Sequence, residues 1–101
     1  MYNLLIGIPV NIKTEEDVYN VEAYLPGVKK ENINVKFKEG ILTIEANRDE
    51  TDSYNEMQRG PLRRILRMKD IDFKNSSAEL REGVLYLTLP HQEKVEILKI
   101  T

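Results

Sequence analysis

Ala78-Glu79-Leu80-Arg81-Glu82-Gly83-Val84-Leu85-Tyr86-Leu87-Thr88-Leu89-Pro90 decides the fold. Two alternating runs meet at Glu82-Gly83, and the second puts Leu85, Leu87 and Leu89 on one face with Val84, Tyr86 and Thr88 on the other. Successive side chains of a strand point to opposite faces, and glycine reaches the positive φ of a tight turn, so this period predicts a β-hairpin. Pro90, which has no N–H to donate, closes it.

The same alternation recurs upstream. Val10 to Lys13 reads as a short strand before the polar turn Thr14-Glu15-Glu16-Asp17. Tyr19, Val21, Ala23 and Leu25 face one way against Asn20, Glu22 and Tyr24, until Pro26-Gly27 stops the strand. Ile33, Val35 and Phe37 alternate up to Glu39-Gly40, and Leu42, Ile44 and Ala46 alternate after it, predicting a second tight hairpin. Leu62, Arg64, Leu66 and Met68 share a face against Arg63, Ile65 and Arg67. Between 47 and 59 apolar side chains nearly vanish, leaving Tyr54 and Met57 in a long polar excursion, a kind of loop that is often functional. No window of helical length keeps a 3.6-residue spacing, so the chain reads as all-β, an antiparallel sandwich of about eight strands.

The 101 residues suit one domain, and 17 acidic against 15 basic side chains in fine mixture give a formal charge of −2. That balance argues against nucleic acid and membrane as partners. Cysteine is absent, which removes disulfides, thiol nucleophiles and thiolate metal sites and fits a reducing compartment. The apolar run Leu4 to Val10 is broken by Gly7 and Pro9 and lacks a basic flank, so a cytoplasmic location is expected.

Catalytic chemistry finds no foothold. The single histidine, His91, follows the strand-ending proline among Gln92, Glu93 and Lys94 and reads as a solvated loop residue. The carboxylates Glu15, Glu16, Asp17 and Asp49, Glu50, Asp52 lack calcium-loop spacing and read as solvated turns, and the five glycines are isolated, with no phosphate-binding loop among them. No catalytic residue, metal ligand or cofactor site is therefore expected. Arg59, Arg63, Arg64 and Arg67 lie near Glu45, Asp49, Glu50, Asp52 and Glu56, have no aromatic between them and split over two strand faces, unlike a nucleic-acid grip. Arg64 stands out. On an apolar face it must be paired, lie at an interface, or snorkel from a sheet edge.

Four motifs in order, namely Pro26-Gly27 after an alternating strand, Gly40-Ile41-Leu42-Thr43-Ile44, Gly60-Pro61-Leu62-Arg63-Arg64, and Ala78 to Leu85 with its Gly-Val-Leu and the closing Leu87-Thr88-Leu89-Pro90, resemble the α-crystallin domain of the small heat-shock proteins. The resemblance runs from about Val10 to Pro90. It implies an immunoglobulin-like sandwich and an ATP-independent holdase of the stress response that binds partly unfolded client proteins and prevents their aggregation. The division it implies is a short apolar arm at 1–9, the domain at 10–90 with the 47–60 loop inside it, and an extension at 91–101.

By the same resemblance, Tyr54, Asn55, Glu56 and Met57 occupy the place of a strand exchanged between subunits of a homodimer, and Arg64 matches an arginine associated with subunit contacts. Val95 and Ile97, or alternatively Leu98 and Ile100, match an Ile-x-Ile-like tag that docks into an apolar groove of a neighbouring subunit. Two side chains two residues apart point to the same side of an extended chain and can fill adjacent pockets. Ile33, Val35, Phe37, Ala78 and Leu80 correspond to the walls of that groove. A plain further strand of the same domain is the other reading of 95–100. The departures from the family pattern are Pro61-Leu62 for a small residue then phenylalanine, Met68-Lys69 for Leu-Pro, and Tyr86 for threonine. Only nine residues precede the domain, and His91 to Lys94, at roughly 3.3–3.6 Å per residue, give the tag a reach under about 20 Å; a dimer or small oligomer is the expectation. The alternative of another class is a CS-domain-like co-chaperone or adaptor that binds one folded partner. Missing tryptophan and the Gly-Val-Leu motif weigh against it.

Overall fold

The computed structural model of the chain describes residues 6–48, 60–92 and 98–101. Within them eight strands form two four-stranded sheets. In chain order they are β1 (Ile6–Gly7), β2 (Val10–Thr14), β3 (Val18–Tyr24), β4 (Ile33–Lys38), β5 (Ile41–Arg48), β6 (Gly60–Arg67), β7 (Ser77–Arg81) and β8 (Val84–Pro90). One sheet runs β1-β6-β5-β4 and the other β2-β3-β8-β7. Apart from the parallel pair β1·β6, every pairing of named strands is antiparallel, and the sandwich class expected from the alternation is what folds.

The two faces packed together carry the side chains the period selects. Val21, Ala23 and Leu25 from β3 and its end, Leu42, Ile44 and Ala46 from β5, and Leu85, Leu87 and Leu89 from β8 are all buried. These are the central strands, covered on both flanks, which is why their alternation is cleanest. Seven of the strands are those the alternation predicts, and the candidate strand Tyr54 to Met57 lies outside the described residues; the strand not expected is Ile6–Gly7, in the segment read as a short apolar arm, which pairs with Leu62 and Arg63, and Ile8 behind it is 1% exposed in the core.

Both Glu-Gly pairs form the turns their residues demand. Glu39-Gly40 has φ values of 50° and 78°, and Glu82-Gly83 has 49° and 79°, the left-handed pair of a type I′ hairpin. Leu25-Pro26-Gly27-Val28 closes with the Val28 amide donating to the Leu25 carbonyl at 3.2 Å, with Gly27 at φ 79° where a type II turn needs it. This turn is pinned from two sides: the Leu25 amide donates to Gly83 O at 2.8 Å, and Arg48 Nε donates to Pro26 O at 3.0 Å.

His91 departs from its expected place in solvent. It is half-buried, its ring packs on Tyr19 with centroids 4.4 Å apart, and its amide donates to Asp17 O at 2.8 Å. The cause is that pairing continues past Pro90, with an isolated bridge joining His91 to Ile71.

Candidate functional site

Among the described residues each sheet ends in a strand with one flank unpaired, and on one side of the sandwich these are β4 and β7. A central strand buries its inward side chains completely, but an edge strand has cover on one side only. The inward residues of β4 are accordingly half-buried in strict alternation, and on β7 Leu80 is half-buried while the small Ala78 is exposed. Between the two edges lies an open cleft of about 290 Å³ walled by Ile33, Val35, Ala78 and Leu80. Leu85, itself 4% exposed, also lines it, and Lys30 contributes the one charged side chain of the lining.

Four of the five residues named as groove walls therefore converge. Phe37 does not line the cleft; it stacks on Phe73, with centroids 5.7 Å apart and planes inclined by 22°. Phe73 opens a 3-10 turn, Phe73–Asn75, in the link to β7 that has no periodicity to reveal it. Lys30 and Leu85 were not foreseen. Leu85 lies on the face shared with Leu87 and Leu89 and serves both core and cleft; Lys30 stands in the 3-10 turn Lys30–Asn32 before β4.

The chemistry of such a cleft is that of an apolar slot with unpaired strand edges beside it. Two branched side chains of an extended segment can fill it while backbone groups of the segment meet the free flank of an edge strand. Of the tail residues named for that role, Leu98 and Ile100 are 88% and 90% exposed and belong to no strand, whereas Val95 and Ile97 lie outside the described residues. So do Tyr54, Asn55, Glu56 and Met57.

Arg64 is brought to the surface. It pairs in register with the fully buried Ile44 and shares its face with the buried Leu62 and Leu66, yet it is exposed and its guanidinium has no ion-pair or hydrogen-bond partner among the described residues. Among the described residues β1 flanks β6 only at Leu62 and Arg63, so at Arg64 β6 is a margin from which a long side chain can reach water. The buried arginine is a different one. Arg48 is 7% exposed, at the inward end of β5, with its Nε on Pro26 O. Extending the Leu42, Ile44, Ala46 period by one step would have found it.

Comparison with known proteins follows the same lines. The model of the Hsp20/alpha crystallin family matches residues 11–100. The chain is 39% identical over 102 residues to the 18 kDa heat shock protein of Clostridium acetobutylicum, spanning 92% of this chain and 68% of that protein. It is 32% identical over 100 residues to heat shock protein HSP.16.4 of Streptococcus thermophilus, spanning 89% and 70%. Among solved structures, heat shock protein 16.0 from Schizosaccharomyces pombe superposes with a TM-score of 0.80 at 26% identity, over 95% of this chain and 76% of that one. A small heat-shock protein from Xylella fastidiosa, described as having a distinct high order structure, gives 0.78 at 25% identity over 93% and 94%.

Proposed function

Because this chain belongs to the Hsp20/alpha crystallin family, the family of the small heat-shock proteins, we propose that it is an ATP-independent holdase. It binds partly unfolded clients through exposed apolar surface and keeps them from aggregating. The observation that carries the reading is the apolar cleft between β4 and β7, open at the margin of a sandwich whose centre is fully packed. An unfolded chain presents extended, alternating apolar side chains, and a slot flanked by strand edges takes them without requiring one sequence. No catalytic step belongs to this activity, and the cytoplasm, where thiols stay reduced, is the compartment proposed for a chain that has no cysteine.

The same cleft is the proposed seat of the tail of a neighbouring subunit, by Val95 with Ile97 or by Leu98 with Ile100, so tail and client compete for it. Self-association also has a second edge to use. β2 is bonded only to β3 among the described residues, and Ile12 is 40% exposed upon it. We assign the subunit contact of a homodimer to Tyr54, Asn55, Glu56, Met57 and the exposed Arg64, the exchanged segment adding a strand to a free edge.

Retention on the immobilised protein tests the holdase reading against the adaptor reading. Native and reduced lysozyme are passed over it without nucleotide. Retention of the reduced form and passage of the native form is expected. Retention of the folded protein alone favours an adaptor, and retention of neither overturns the proposal.

A further inference from the structure

The register of the β4-β5-β6 sheet sets out its outer face as a small grid. One row across the strands is Lys38, Ile41, Arg67, and the next is Lys36, Thr43, Ile65. The third is Asn34, Glu45, Arg63. Two lysines therefore run along one flank and two arginines along the other, with Ile41 on the middle strand between Lys38 and Arg67 and Ile65 between the two arginines, 38% and 53% exposed. The fine mixture of charge along the sequence separates in the fold: four basic side chains and one acidic one share this face, in a chain whose formal charge is −2.

Glu45 is already occupied. Its carboxylate accepts from Lys36 Nζ at 2.7 Å and stands 4.0 Å from Arg63 Nε, and the Lys36 contact first of all holds its carboxyl below the ordinary value of 4.5. Lys38 and Arg67, at the other end, have no ion-pair partner among the described residues, and a cleft of about 360 Å³ opens beside Lys36, Lys38, Ile41 and Thr43, with the turn residue Glu39 as its one acidic lining residue.

We propose that this face is a second docking surface, specific for extended polypeptide segments whose every second side chain, those on one face, is by turns acidic and apolar. It deepens the holdase reading by naming the chemistry of one class of client. Neighbouring strands are about 4.8 Å apart, and alternate residues of one strand about 7 Å. Isoleucine and cation thus interleave at the pitch at which an extended peptide presents its own side chains. A lipid surface is the poorer match, because two isoleucines set singly among charged neighbours offer too little apolar area to insert into acyl chains, and Glu45 sits among the would-be headgroup contacts.

The test is fluorescence anisotropy of short labelled peptides with the full chain at low salt. A peptide repeating Glu-Ser-Leu-Ser, which puts glutamate and leucine by turns on one face, is expected to bind, and peptides repeating Lys-Ser-Leu-Ser or Glu-Ser-Ser-Ser are not. Lys38→Glu with Arg67→Glu, both exposed and without an ion-pair partner among the described residues, should weaken the first peptide by about tenfold, two surface attractions becoming repulsions. Equal binding by the native chain and the double variant overturns the proposal. So does binding to phosphatidylglycerol vesicles with no binding to the peptide. The double variant keeps the β4–β7 cleft, so loss of peptide binding with reduced lysozyme still retained separates this surface from the holdase reading, whereas failure of the native chain to retain it counts against that reading instead.

Discussion

Gly83→Ala lowers stability by about 2–4 kcal/mol, roughly twice the loss from Gly40→Ala. The two glycines are a matched pair. Each follows a glutamate in a type I′ turn, and their φ values are 79° and 78°. An alanine pays the same left-handed strain at both, about 1–2 kcal/mol. What differs is the neighbourhood. A Cβ at Gly40 meets nothing nearer than Met68 O at 4.0 Å, whereas at Gly83 it stands 3.1 Å from Pro26 Cα and 3.6 Å from Pro26 Cβ. Pro26 cannot retreat easily, since its ring fixes φ and its turn is tied to Gly83 O and to Arg48. Urea midpoints of the two variants, at unchanged m, measure the difference. Equal losses would mean that the contact between the two turns carries no energy.

Ala78→Glu reduces the assembly to dimers and leaves the melting temperature of the domain nearly unchanged. Ala78 is exposed on an edge strand, so the substitution removes nothing from the core. It places a carboxylate in the wall of the cleft that the tail of a neighbouring subunit is proposed to enter. Burying that charge under two branched side chains costs at least about 2 kcal/mol, enough to weaken docking by about thirtyfold. Light scattering gives the mass. An unchanged mass at an unchanged melting temperature would show that the tail docks elsewhere or folds back as a strand of its own domain.

What could be read from the residues, and what could not, divides along physical lines. Leu85, Leu87 and Leu89, or Val21, Ala23 and Leu25, lie on central strands where a period of two maps directly onto burial. The two Glu-Gly turns were equally legible, because left-handed φ at consecutive positions leaves few residue choices. Sheet order is another matter: that β3 lies beside β8 and β4 faces β7 across the sandwich is a non-local fact that no short window contains. Arg64 shows the consequence. Its place in the alternation was right, yet its exposure depends on β1 being too short to flank it.

The candidate cleft was legible only in part for the same reason. Its walls come from two sheets, and only the family resemblance brought Ile33, Val35, Ala78 and Leu80 together in advance. Phe37 shares the period of Ile33 and Val35 but is taken by Phe73, from a link without pattern. Arg48 was missed because Asn47-Arg48 look like the start of the polar loop, although one more step of the β5 period buries that guanidinium. The basic face of β4-β5-β6 was hidden by register: Lys38, Ile41 and Arg67 are neighbours only across strands.

The central claim, that this chain holds unfolding proteins in solution without ATP, is tested most directly by the light scattering of a client made to aggregate beside it. With insulin reduced by dithiothreitol and an equal molar amount of this protein, nucleotide absent, scattering is expected to stay near baseline, with the client recovered in a soluble complex. Scattering that rises as it does for the client by itself would contradict the account.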